Sequence, residues 1–363
     1  MGMLKIEHPF HGAVLNRRHG RQTKTGLTIQ VTGTAPLRHR VAVNGVEAPC
    51  SCGRFATDIT LTEKFTDIVA VSTGAAGNLE HRVRVVWDKF SKPRYRFSID
   101  DNSFFLRDIA KNKYPSLFDC HYLDILRTLN RKHGAKFVLN CYYTTGADFS
   151  VPEFPTTYRG EWKDNANWLK LSFHAYANDP DRPYQYASAE KLARDYDLVA
   201  GEIMRFAGED TWSAPTVIHW GMVQQGALPV LRQRGVKVLS GFFKWGDRYD
   251  VNYWLDDLRC EHLSNHDALM DFTQDIVYSK VDIVCNNTPV ANVAPTLEPL
   301  TKDPNTAEIM DLFTHEQYFW PFYVNFVKDH AERLDAAIGF VTEKGYEPVF
   351  FHEGFLGGQD WPA

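Results

Sequence analysis

Two rhythms of apolar and polar residues divide the chain. From Leu4 to about Trp87, apolar residues recur at every second position in short runs broken by turns. Leu27-Thr28-Ile29-Gln30-Val31 alternates as a strand with one buried face does. Val41-Ala42-Val43 runs into Asn44-Gly45, a pair suited to a two-residue hairpin turn because both positions need positive φ. Phe55–Leu61, Asp67–Val71 and His81–Val86 continue the pattern, with hardly a helical period between them. Short strands at this spacing predict an all-β sandwich of immunoglobulin-like type over residues 1–90. The stretch Asp88–Tyr95, with Pro93 inside it, reads as the linker.

After Arg94 the rhythm changes to apolar runs separated by stretches of helical period, the signature of parallel strands alternating with helices. Predicted strands are Tyr95–Ile99, Lys136–Tyr143, Trp168–His174, Thr216–Ile218, Val236–Phe243, one within Ile276–Cys285, Ile309–Phe313 and Pro348–Phe351. Predicted helices are Leu117–His133, with Leu123, Leu126 and Leu129 on one face, then Ala189–Ala207, Gly226–Gly235 and Val324–Lys344. The fold class expected is multidomain: an all-β sandwich followed by an α/β barrel of (β/α)7–8 type over residues 91–363.

The polar residues that matter fall at the ends of these strands. Asp100-Asp101, His174, His219 and His315 each follow an apolar run directly. In a β/α barrel such carboxyl ends emerge on one face, so residues far apart in sequence converge there. A single His in this position is more often a hydrogen-bonded or capping residue; four strands that each deliver an Asp or His are harder to assign to chance. Adjacent carboxylates allow a division of labour in which one ligates a metal and the other takes a proton from water. Asp100-Asp101-Asn102 also suits a turn capping a helix that begins near Phe104, and both readings can hold together. Imidazole nitrogen and carboxylate oxygen suit zinc or another first-row divalent metal.

Composition narrows the function classes. The 363 residues carry 40 Lys and Arg against 45 Asp and Glu, a net charge of −5, with no basic block. Nothing there recommends nucleic acid or anionic lipid as a partner, and no apolar run is long enough to span a membrane. Nine Trp, 16 Tyr and 24 Phe are many, and several Trp lie in loop-like segments where their faces could stack on sugar rings. The six Cys show neither a disulfide framework nor zinc-finger spacing, which leans toward a reducing, cytoplasmic compartment. A leader already removed would instead place the protein in a periplasm or outside the cell.

Tyr95-Arg-Phe-Ser-Ile-Asp-Asp-Asn102, Leu171-Ser-Phe-His174, Ala214–Phe243 and Leu312-Phe-Thr-His315 occur in an order that resembles the polysaccharide deacetylase (NodB homology) superfamily. The resemblance runs from about Arg94 to the C-terminus and implies a β/α barrel of deacetylase type. It implies Asp100 as the base, Asp101 and His174 as metal ligands, and His315 as general acid. Two departures stand out. Asn178 occupies the place of the second motif's second His, so the remaining ligand is the Asn178 oxygen, His219 or Asp179. The Arg of the third motif is absent, and His219-Trp220-Gly221 fills its place, which makes His219 a catalytic candidate as well. Trp220, Tyr176, Trp254 and Glu316 are the candidate sugar contacts, three aromatic faces and a carboxylate beside His315.

The expected function is metal-dependent hydrolysis of an N- or O-acyl group on a polysaccharide or oligosaccharide. One alternative is cleavage of the glycosidic chain, by lysis or hydrolysis, in the same metal-containing groove. A second is a non-catalytic glycan-binding protein. The sequence does not fix an oligomeric state.

Overall fold

The alternating pattern of the N-terminal part becomes two sheets in the computed structural model, which describes residues 2–75 and 77–362. One sheet orders Lys5–His8, Leu27–Thr34, Arg54–Leu61 and Cys50–Ser51, with Arg21–Gln22 also paired to Leu27–Thr34. The other orders Val14–Leu15, Gly77–Trp87, Phe65–Gly74, Arg40–Val43 and Val46–Ala48. Val43 pairs with Val46 across Asn44 and Gly45, at φ 46° and 81°, the tight turn expected of that dipeptide. Leu27, Ile29 and Val31 from one sheet and Val41, Ile68 and Val85 from the other join a single apolar core. Each such side chain contributes about 1.5–3 kcal/mol on burial. No helix occurs among the described residues up to Ser91. This unit comprises Met1–Ser91 and also draws in Ala268–Thr273 and Gln359–Ala363, so one cut in the sequence does not delimit it.

The second unit, Lys92–Asp267 with Gln274–Gly358, is mixed α/β. Its main sheet orders Leu169–Ala175, Phe137–Tyr142, Arg94–Asn102, Ile309–His315 and Ile283–Val284, and Glu347–Pro348 pairs with the start of Arg94–Asn102. Every ladder in it is parallel. These strands are buried along nearly their whole length, as a parallel sheet covered on both faces requires. Val238–Gly241 pairs in parallel with Ile276–Lys280. Helices His121–His133, Ala189–Phe206 and Leu228–Gln233 alternate with the strands. No helix among the described residues is long and apolar enough to cross a membrane.

The sequence expectation of a closed barrel needs correction. No continuous ring of strands forms among the described residues. Thr216–Ile218 is not a strand: Pro215 has no N–H to give a ladder, and the chain turns at Trp220 with φ 62°. An isolated parallel bridge between Leu171 and Trp212 and one bond from Ser240 link residues 211–216 to the neighbouring strands. Leu171 N donates to the Thr211 carbonyl, Ser213 N to Leu171, and Ser240 N to Thr216, at 2.9, 2.9 and 2.6 Å. The last helix begins at His330 rather than Val324, because 320–327 is folded into turns, with Val327 N bonded to the Tyr318 carbonyl. The last predicted strand shrinks to Glu347–Pro348. What survives is the feature that positions a site. Parallel strands put Asp100, Tyr142, His174 and His315 at their carboxyl ends on one side of the sheet, with Asp100 directly opposite His315.

Candidate metal centre

Two irregularities shape these strand ends. Ile99 faces Leu139, but Asn102 faces Cys141, so the Asp100-Asp101 step is a β-bulge. On the next strand pair Cys141 faces Phe173 and Tyr142 faces Ala175, which puts a second bulge at His174. Successive side chains of a regular strand point to opposite faces. The first bulge, with Asp101 held at φ 62°, lets Asp100 and Asp101 line the same cavity. A non-glycine residue there costs about 1–3 kcal/mol, so the surroundings must hold it. Glu316 helps: its carboxylate accepts the backbone N–H groups of Ser103, Phe104 and Phe105, at 2.7, 2.9 and 2.6 Å, and anchors the helix that starts just past the bulge.

Three side chains meet at the bulges. The Asp101 Oδ1 atom lies 3.1 Å from His174 Nε2 and 3.4 Å from His219 Nδ1, and the two ring nitrogens are 3.0 Å apart. The Tyr142 hydroxyl donates a very short bond to the same Oδ1 and lies 3.1 Å from His219 Nδ1. The other Asp101 oxygen, Oδ2, accepts from Gln317 Nε2 at 2.8 Å. Asp100 stands beside this group, with one oxygen accepting from Asn140 Nδ2 at 2.6 Å and the other 3.8 Å from His174 Nε2.

The electrostatics separate the two carboxylates. Burial would raise Asp101, but the His174 bond and the charges of His315, His174 and His219 outweigh it and hold Asp101 well below the usual carboxylate range. For Asp100 burial dominates, and its proton affinity rises although His174, His315 and Asn140 oppose the shift. Burial pulls His174 down, yet Asp100 and Asp101 more than restore it, and its pKa is raised. His219 falls to about 4, through burial and then the nearness of His174. The two imidazoles therefore differ, His174 with its proton affinity raised by the neighbouring carboxylates and His219 held neutral beside it.

The donor set fits a metal. Ligand atoms about 2.0–2.2 Å from a tetrahedral zinc lie ~3.3–3.6 Å from one another. The separations of 3.0, 3.1 and 3.4 Å fall close to that range. Asp101, His174 and His219 are the one group of three His, Cys, Asp or Glu side chains among the described residues that could hold an ion.

The cavity over this cluster measures about 550 Å³. Asp100, Asp101, His174, Asn178, His219, Trp220 and His315 line it, so seven residues singled out from the sequence come together. Their parts differ in detail. The Asn178 backbone carbonyl lies 3.1 Å from His219 Nε2, and its side-chain oxygen is 3.3 Å from the Tyr142 hydroxyl. His219 stands where the sequence left three candidates for the remaining ligand. His315 turns its Nδ1 to the Asn286 side-chain oxygen at 3.1 Å.

Three expected sugar contacts do not reach the cavity. Glu316 is fully buried and bonded to backbone N–H groups and to the Trp320 indole, a helix anchor rather than a substrate ligand. Tyr176 stacks on Tyr143 with ring centres 5.2 Å apart. The Trp254 indole donates to the Gln185 carbonyl at 3.0 Å, and Trp254 is not among the residues that line the cavity. The aromatic lining consists of Trp220 with Phe242, Trp245, Phe313, Tyr318 and Tyr323. Asn140, Tyr142 and Gln317 escaped the sequence reading. For the first two a signal existed, polar atoms at the carboxyl end of the apolar run Phe137–Tyr142. The six cysteines are free thiols.

No protein-family model matches the chain, and no curated protein matches it. Among solved structures it is similar to a peptidoglycan N-acetylglucosamine deacetylase, with 12% identity over 75% of this chain and 92% of that one, at a TM-score of 0.39. A 4-alpha-glucanotransferase from Thermococcus litoralis gives 15% identity over 71% of this chain and 39% of that one, at 0.45. A type III pullulan hydrolase from Thermococcus kodakarensis gives 10% identity over 90% and 86%, at 0.36. These neighbours are carbohydrate-active enzymes. At such TM-scores none of them transfers a reaction to this chain, and the functional reading rests on the side chains themselves.

Proposed function

We propose that this protein is a metal-dependent carbohydrate-active enzyme that hydrolyses an acyl group on a polysaccharide or glycan. The observation that carries the reading is the convergence of Asp101, His174 and His219 beside a buried Asp100, beneath an aromatic-lined cavity. In this reading Asp101 Oδ1, His174 Nε2 and a ring nitrogen of His219 hold the cation, with Asn178 and Tyr142 steadying His219. Two imidazoles and one carboxylate suit zinc and leave positions open, and other first-row metals share the preference. Bound there, a divalent metal supplies Lewis acidity toward an acyl carbonyl and makes water acidic enough to attack near neutral pH.

The rest of the chemistry belongs to the chain. Asp100 takes the proton of the attacking water; Asn140 orients its carboxylate, and burial raises its proton affinity toward that of a working base. His315, with Nδ1 engaged by Asn286, uses its other ring nitrogen to protonate the leaving group. Trp220, Trp245, Tyr318 and Tyr323 offer faces to sugar rings. Residues 1–90 are read as an immunoglobulin-like sandwich that serves as a non-catalytic module, and 91–363 as the catalytic domain.

Acetate release from acetylated saccharides by the metal-loaded protein tests this reading. Release that disappears in Asp101→Ala supports it. No release from any acylated glycan would refute deacylation, and a new absorbance from an unsaturated sugar would point to chain cleavage instead.

A further inference from the structure

Asp101 has two oxygens with separate duties, and the partner of the second has no role in the reaction above. Oδ1 gathers Tyr142, His174 and His219. Oδ2 is held by Gln317 Nε2 at 2.8 Å, and Gln317 is itself buried, 8% exposed. A carboxylate's terminal torsion is broad and nearly two-fold, so its own side chain does not fix the plane of the group. Tyr142 on one oxygen and Gln317 on the other do fix it.

The backbone of Gln317 is fixed as firmly. It belongs to the turn Glu316–Phe319 that follows the His315 strand, and the side-chain carboxylate of the preceding residue, Glu316, accepts three backbone N–H groups at the start of the helix that follows Asp101. Strand pairing sets Asp100 opposite His315 immediately before. Gln317 therefore reaches Asp101 from a segment whose register to the bulge is fixed on both sides.

We infer that Gln317 is a positioning residue that reserves Asp101 Oδ1 for the metal by occupying Oδ2. This deepens the proposed function and rests on its metal. A carboxylate held this way gives one oxygen to the cation and keeps its plane when the cation leaves. Partners of this kind, one bond removed from a ligand, typically govern affinity by 10–100-fold.

The test is the zinc dissociation constant of the full chain, measured by competition with a chromophoric chelator for the unsubstituted protein and for Gln317→Met and Gln317→Leu. Both variants keep the approximate bulk and remove the N–H donor. The melting temperature of each metal-free protein is recorded alongside. The expected result is zinc affinity weakened by about 10–100-fold in both variants, with metal-free melting temperatures that do not track the loss. Unsubstituted protein that binds zinc, with either folded variant binding within threefold of it, overturns the inference and leaves the proposed function standing. Unsubstituted protein that binds neither zinc nor another first-row divalent metal overturns both.

Discussion

At the scale of single residues, the adjacent carboxylates are distinguished by what surrounds them. Asp101 faces two imidazoles and a tyrosine hydroxyl, whereas Asp100 faces an amide and lies 3.8 Å from the nearest ring nitrogen. A ligand must be an anion at working pH, and a base must have some appetite for protons; the opposite pKa shifts of the pair suit those duties. Asp100→Asn preserves the shape and the Asn140 contact region but removes the base. It is expected to retain metal and to lose activity by ~10²–10⁴-fold, as measured by acetate release together with elemental analysis of the same sample. Loss of metal along with activity would place Asp100 among the ligands.

At the scale of elements, the site depends on bulges and on one buried anchor. Glu316 is fully buried and accepts three backbone N–H groups and the Trp320 indole, and burial pushes its pKa up to about 7. Glu316→Ala leaves those donors at the helix start without a partner, which is expected to cost about 2–4 kcal/mol. Denaturant unfolding measures it, and a change below about 0.5 kcal/mol would mean that the anchor is replaceable. Activity should fall too, since the helix start and the bulge move together. The strands that deliver Asp100-Asp101, His174 and His315 were legible in the sequence because buried parallel strands are almost wholly apolar, so a polar residue at the end of one is conspicuous. The bulges were not, because a single extra residue leaves no periodic trace. Gln317 lay in a turn after a strand, where polarity is unremarkable, and Glu316 looked like a sugar contact because burial by tertiary structure cannot be read from its neighbours. Thr216–Ile218 had a strand's composition, but Pro215 and the turn at Trp220 deprived it of a ladder.

At the scale of the whole molecule, buried imidazoles tie stability to pH. His330 is almost fully buried, lies on Phe319 with ring centres 4.0 Å apart and contacts the Thr314 hydroxyl at 2.7 Å. Burial, then the charge of Arg333, lowers it to about 3 from 6.5. A histidine whose folded pKa is depressed contributes its stability above the unfolded value and loses it as the pH falls toward the folded one. Between pH 6.5 and about 4 this residue should therefore cost up to about 1.4 kcal/mol for each unit of acidification. Asp311, lifted by burial to about 6, works the other way and is common to both proteins of a comparison. His330→Asn should accordingly lower stability at neutral pH yet flatten the acid limb of the melting-temperature profile; parallel profiles would assign the acid sensitivity elsewhere.

All of this chemistry requires that side chains from three separate segments hold one cation. The metal content of the purified protein, dialysed with zinc and then against a weak chelator, addresses that requirement directly when set beside His219→Ala. The expected result is about one equivalent retained by the unsubstituted chain, as a three-ligand site with an open position would hold, and little or none by the variant. A chain that emerges free of metal, or a variant that keeps as much as its parent, would contradict the assignment of Asp101, His174 and His219 as the metal centre.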